Sequence, residues 1–168
     1  MEKAQVFGRE VRFRIFCFAL AVLTSLTMGS LRIAAQGPPH PVDTTPITLP
    51  APFPCPFDIS LALTGKTKTI QLPADRSIVT APGQDATITN VANPANQVTL
   101  NITGAFHQRT EQDGTVTTVV TGRNLLFDPQ AGFVLAIGHF SYVFDAAGTL
   151  IQPLAGTGQL IDVCAAIQ

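Results

Sequence analysis

The chain has 168 residues, a formal net charge of −1, no Trp, one Tyr and eleven Phe. Five of its ten basic residues (Lys3, Arg9, Arg12, Arg14 and Arg32) lie in the first 32 positions; from Gln36 onward five basic residues face nine acidic ones, a balance of −4. That length allows one domain plus a leader, and that balance excludes a nucleic-acid partner held by bulk charge.

Residues 1–35 fit a secretory signal peptide. Lys3, Arg9, Arg12 and Arg14 make the basic start, Ile15 to Met28 the apolar run, and Ile33-Ala34-Ala35 a small-residue cleavage site before Gln36. An uncleaved anchor is the alternative, but a spanning helix wants roughly 20 apolar residues and this run is shorter. The mature chain is therefore expected to be secreted or held in the cell envelope, with no membrane span. Residues 36–54 read as a proline-rich spacer. Pro38, Pro39, Pro41, Pro46, Pro50, Pro52 and Pro54, with Pro56 just beyond, remove ladder donors and favour an extended chain.

Of three cysteines, Cys17 lies in the leader, which leaves Cys55 and Cys164. In an oxidising compartment they are the one intramolecular pair available. Wide separation and the lack of Cys-x-x-Cys make the pair structural and not redox-active. It bounds a domain over 55–168.

Within that domain strand signals dominate. Phe57, Ile59, Leu61 and Leu63 alternate with Asp58, Ser60 and Ala62, a half-buried strand. Thr64-Gly65 is expected to turn it back into Lys66–Leu72. Further turns fall at 73–75 and 81–85, and Ala86–Val91 with Gln97–Thr103 reads as a hairpin. Asp113-Gly114 is a two-residue turn signal between Phe106–Gln112 and Thr115–Thr121. It sets His107 opposite Val120 and Arg109 opposite Thr118. Asn124–Asp128 leads to a turn at 128–132. Phe133–Phe144 follows, apolar on both faces and so buried on both or crossing between sheets. Asp145–Gly148 turns the chain into Thr149–Ile151, and Gly158–Cys164 is the last strand. The fold class is all-β: an antiparallel meander of about eight to ten strands closing as a barrel, with a two-sheet sandwich as the alternative.

Cys55-Pro-Phe-Asp-Ile, Thr121-Gly-Arg-Asn-Leu125, Phe144-Asp-Ala-Ala-Gly148 and Asp162-Val-Cys-Ala165 resemble motifs of a group of small exported bacterial proteins. The resemblance covers most of 55–168. It implies bacterial export and one cysteine pair, and it carries no established activity and no catalytic residue.

Little catalytic chemistry survives inspection. Leu63–Thr67 has the end of a phosphate loop, but Ser60 stands where the first glycine belongs and a strand follows. Ser141 lies near His139 without Gly-x-Ser-x-Gly. Two histidines at long spacing make no zinc set, and no calcium loop appears. No metal and no cofactor is expected. Asn101-Ile-Thr103 is a glycosylation sequon, which matters only in a eukaryotic host.

The best polar group is His107, Arg109 and Glu111, which spacing of two places on one strand face. Arg123 and His139 are candidates to join it, with Tyr142 as a further ligand-binding residue. Three functions remain. The first is a non-enzymatic domain binding an apolar small molecule or a cell-envelope protein, its cavity lined by Phe133, Leu135, Phe140, Tyr142 and Phe144. The second is an isomerase or cyclase using the polar group, which fails if His107 and Arg109 face open solvent. The third is a structural or adhesive envelope module.

Overall fold

Alternating apolar residues and frequent turn residues do produce strands throughout residues 36–168, the part that the computed structural model describes. In chain order these are β1 (His40–Pro41), β2 (Ile47–Leu49), β3 (Ile59–Thr64), β4 (Lys66–Leu72), β5 (Arg76–Thr80), β6 (Asp85–Asn90), β7 (Gln97–Asn101), β8 (Ala105–Thr110), β9 (Val116–Asp128), β10 (Gly132–Phe144) and β11 (Leu150–Asp162). One helical turn, α1 (Val163–Ala166), follows, capped by the Asp162 side chain, which accepts a hydrogen bond from the Ala165 amide at 3.1 Å. The leader reading falls on residues 1–35, outside the described residues.

All pairings are antiparallel, in two sheets. A seven-stranded sheet runs β1-β4-β5-β8-β9-β10-β11, and a four-stranded sheet runs β2-β3-β6-β7. Neither sheet closes on itself, so the expected barrel gives way to an arrangement consistent with a sandwich. The physical reason lies in the corners. The chain passes from one sheet to the other at Gly65, at 81–84 and at 102–104, so successive segments feed two sheets where a barrel would need one continuous ladder.

Gly65 is thus a corner and not the hairpin turn expected from Thr64-Gly65. Its φ is +97°, and a Cβ there would lie 2.2 Å from the Gly83 carbonyl oxygen of the neighbouring corner. The Ile102 amide donates to the Gln84 carbonyl (2.9 Å) and the Ala81 amide to the Gly104 carbonyl (3.3 Å), tying the other two corners together.

The proline-rich stretch forms two short edge strands. Ile47, Thr48 and Leu49, a run free of proline, pair with Leu61, Ser60 and Ile59. His40 and Pro41 pair with Thr67 and Lys66 at an outer edge, where a missing N–H is tolerated. The Val42 amide reaches the Gly65 carbonyl at 3.1 Å, so this segment follows β3 and β4 around their corner.

Two apolar cores form on the two faces of β10. On one face Phe133 and Leu135 pack with Ile59 and Leu61 of β3, Ala86 and Ile88 of β6, and Val163 and Ile167 at the chain's end. The Cys55–Cys164 disulfide joins this core, with Cα atoms 5.6 Å apart. Cys164 lies in α1 and not in the last strand, because Asp162 caps a helical turn there. The buried Asn90 side chain donates to the Ile167 carbonyl at 3.2 Å, which fixes the end of the chain over the β6–β7 loop. On the other face of β10, Val134, Ala136 and Phe140 pack with Val120 and Leu126 of β9, and Phe106, Tyr142 and Leu154 close around them.

A row of glycines crosses the middle of the long strands. Gly138 of β10 stands opposite Gly122 of β9 and Gly158 of β11. A Cβ on Gly138 would meet the Thr157 carbonyl oxygen at 2.3 Å, so side chains are excluded where the three backbones converge. Glycine at such positions lets a sheet coil sharply.

Candidate functional site

The second core is incompletely filled. A cavity of about 260 Å³ opens beside it. Phe106 of β8, Tyr142 and Phe144 of β10, and Leu150 and Leu154 of β11 form one wall. The other wall is residues 125–129 at the β9–β10 turn, including Leu126, Phe127 and Asp128. These walls are far apart in register. Phe127 pairs with Phe133, whereas Tyr142 pairs with Thr118, nine residues earlier in β9 than Phe127. For both to line one cavity the sheet must coil between them, the stretch that holds the glycine row.

Aromatic contacts define the lining. Tyr142 and Phe144 meet edge to face with centroids 5.7 Å apart. The Phe127 ring lies on the opposite face, stacked on buried Phe133 of the first core at 4.6 Å and beside Phe53 at 5.5 Å. Burial pushes the Tyr142 phenol above its ordinary pKa of 10.0, with the Thr118 hydroxyl acting in the opposite direction. Asp128 is nearly buried, and its Oδ1 accepts hydrogen bonds from the amides of Gln130 (2.8 Å) and Ala131 (2.7 Å). These bonds build the turn that carries Phe127 and Pro129.

The residues anticipated from sequence divide sharply. Of His107, Arg109, Glu111, Arg123, His139 and Tyr142, only Tyr142 lines the cavity. His107, Arg109 and His139 are exposed. Arg109 Nε and Glu111 Oε1 form a 2.9 Å ion pair with side chains 61% and 40% exposed, a surface pair of small energetic weight. The Arg123 Nε donates to the Asn101 carbonyl at 2.9 Å, spanning the corner between the sheets. His139 stands opposite Thr121 and Thr157 and is no core histidine. His107 and Arg109 thus face open solvent, apart from the cavity.

The register explains this division. The connection from β8 to β9 is 111–115, and the Glu111 amide bonded to the Thr115 carbonyl at 2.8 Å encloses three residues, 112–114, with Gly114 at φ +84°. His107 therefore pairs with Val119 and Arg109 with Thr117, one residue away from a two-residue turn's register. A one-residue slip exchanges faces. Phe106, opposite Val120, is the β8 residue that faces the cavity.

Of the five residues expected to line a cavity, Tyr142 and Phe144 do. Phe133 and Leu135 fill the first core and Phe140 the second. Phe106, Asp128, Leu150 and Leu154 were not singled out from sequence, and mid-strand glycines at 122, 138 and 158 were the signal that could have found them. Leu63–Thr67 runs from β3 through the Gly65 corner into β4, with no helix to complete a phosphate loop. Among the described residues no three His, Cys, Asp or Glu side chains come together as a metal set. Compared with models of protein families, with curated proteins and with solved structures, the chain matches none.

Proposed function

We propose that the chain is exported and that its β domain binds a small apolar molecule in the cavity between Phe106, Leu126, Tyr142 and Phe144. The cavity itself carries this reading: about 260 Å³ left open in a face otherwise packed with aromatic and leucine side chains. Sites for drug-sized ligands span roughly 300–1,000 Å³, and an apolar cavity of about 150 Å³ suffices for benzene. The occupant is then one ring or a short branched chain with a substituent. Export is supported by the composition of residues 1–35, by the disulfide, and by the resemblance to exported bacterial single-disulfide proteins.

A second reading, docking of a cell-envelope protein, is favoured by β11. This edge strand has 13 residues, no charged residue before Asp162, and exposed Ile151, Leu160 and Ile161. Long uncharged edges are templates for a further strand.

Native mass spectrometry of the oxidised protein, purified from an exporting host, separates the two. A retained extra mass released on denaturation is the outcome expected for ligand binding. A bare chain that also leaves the Tyr142 and Phe127 NMR signals unmoved by small aromatic compounds would sink it and leave the edge strand as the functional surface.

A further inference from the structure

The geometry points to a narrower ligand class, resting on the apolar-pocket reading: an organic cation, an ammonium carrying an apolar group. Three aromatic rings (Phe106, Tyr142 and Phe144) stand on the cavity's face of the sheet, and the one charged residue among its lining is the acidic Asp128. No Lys, Arg or His lines it. Aromatic faces carry negative potential and attract cations, and quaternary ammonium groups are characteristically held by several rings at once. A carboxylate at the edge of such a cage supplies the counter-charge in surroundings where few polar groups compete.

Asp128 is placed for that role. Its Oδ1 accepts both turn amides, from Gln130 and Ala131, which fixes the carboxylate's position. Oδ2 takes neither bond, and no buried side-chain oxygen among the described residues is left without a partner, so Oδ2 is open to a ligand or to water. The surrounding field has the same sign, because residues 36–168 carry nine acidic groups against five basic ones. A neutral apolar ligand would gain no charge pairing from Asp128.

The test compares an isosteric pair on the oxidised protein. Phenyltrimethylammonium and tert-butylbenzene have the same shape and differ in charge. Binding is followed by the amide NMR shifts of Phe127, Tyr142 and Leu154. The expected result is that the cation binds about tenfold tighter or more, with added salt narrowing the gap. Asp128→Asn keeps Oδ1 as the acceptor for the turn amides, and it should bring the preference down to about threefold or less, the share left to the rings. Asp145→Asn is the matched control. Asp145 also accepts two turn amides, Ala147 at 2.9 Å and Thr149 at 2.8 Å, but lies outside the cavity lining, so its variant should keep the full preference. Equal binding of the two compounds overturns the cation assignment and leaves the apolar pocket standing. A preference that survives Asp128→Asn also overturns it. Binding of neither compound removes the pocket reading and this inference with it.

Discussion

The two cores share one strand and differ in nearly everything else. Phe133 and Leu135 of β10 enter a core of aliphatic side chains sealed between the sheets and tied by the disulfide. Val134, Ala136 and Phe140 of the same strand enter a core on the other face, rimmed by aromatics and left with a cavity. The first has a second sheet to pack against. The second is built from β8, β9, β10 and β11 of a single sheet and borders open space. Stability is thereby concentrated on one face of β10, and room for a ligand on the other.

The largest effect should come from the link that belongs to the first core alone. The disulfide closes a loop of 109 residues in sequence separation. Chain entropy assigns about 4–5 kcal/mol to a loop of that size. Replacing Cys55 and Cys164 together with Ala is expected to cost about 4 kcal/mol in urea unfolding while leaving ligand-induced shifts of Tyr142 intact under native conditions. Loss of those shifts in a still folded variant would show that the cores are not separable.

Truncations sharpen the comparison at the next level. Ile88 is fully buried, and Ile88→Ala should cost about 3 kcal/mol, within the usual range for a large-to-small change in a tight core. Leu154 is only partly buried and already borders open space. Leu154→Ala should cost about 1 kcal/mol or less and should act mainly on ligand affinity. Equal losses in urea unfolding would mean that both faces are equally packed. Between these two falls Gly138→Ala, for which the Thr157 carbonyl leaves no room. It should cost about 2 kcal/mol and abolish binding out of proportion, because the glycine row sets the coil that brings the cavity walls together. A Gly138→Ala protein that binds normally would detach the cavity from the coil.

The sequence showed the strands better than their partners. Period-two alternation placed β3 and β7, which present one face to a core, and turn residues placed β6 and β8 between them. Double-faced burial of 133–144 was legible because its apolar residues fall on both parities. Barrel closure was not, because Gly65 as a corner and Gly65 as a turn have the same local chemistry, and only the contact with Gly83 distinguishes them. The polar group was misplaced for a related reason. Asp113-Gly114 promises a hairpin but does not fix its loop at two residues, and the added residue changed which β9 residues face His107 and Arg109. The cavity rests on three glycines that are widely spaced in sequence and adjacent only after pairing. No local pattern announces that juxtaposition.

The finest probe of the contrast is Tyr142, the sole tyrosine in a chain without tryptophan, so its phenolate absorbance reports the cavity wall with no background from a second ring. Its folded pKa lies above the ordinary 10.0, chiefly because burial disfavours the phenolate. The sign follows directly. Below pH 10 the phenol is neutral in both folded and unfolded chains, and the folded state keeps its full stability. As pH rises past that value the unfolded chain ionises first, so stability falls until the folded phenol also titrates. The expected spectroscopic midpoint is above 10. Phe144→Ala, which removes the ring packed edge to face against it, should bring the midpoint back toward the ordinary value by admitting water. A neutral occupant should raise it further by excluding water, whereas a bound ammonium should lower it by stabilising the phenolate. Opposite movements with the two isosteres would therefore read the charge of the preferred ligand from inside the cavity. An ordinary midpoint that neither Phe144→Ala nor a ligand moves would mean that this face of β10 is as wet as the solvent, and the division between a sealed core and a receptive one would collapse.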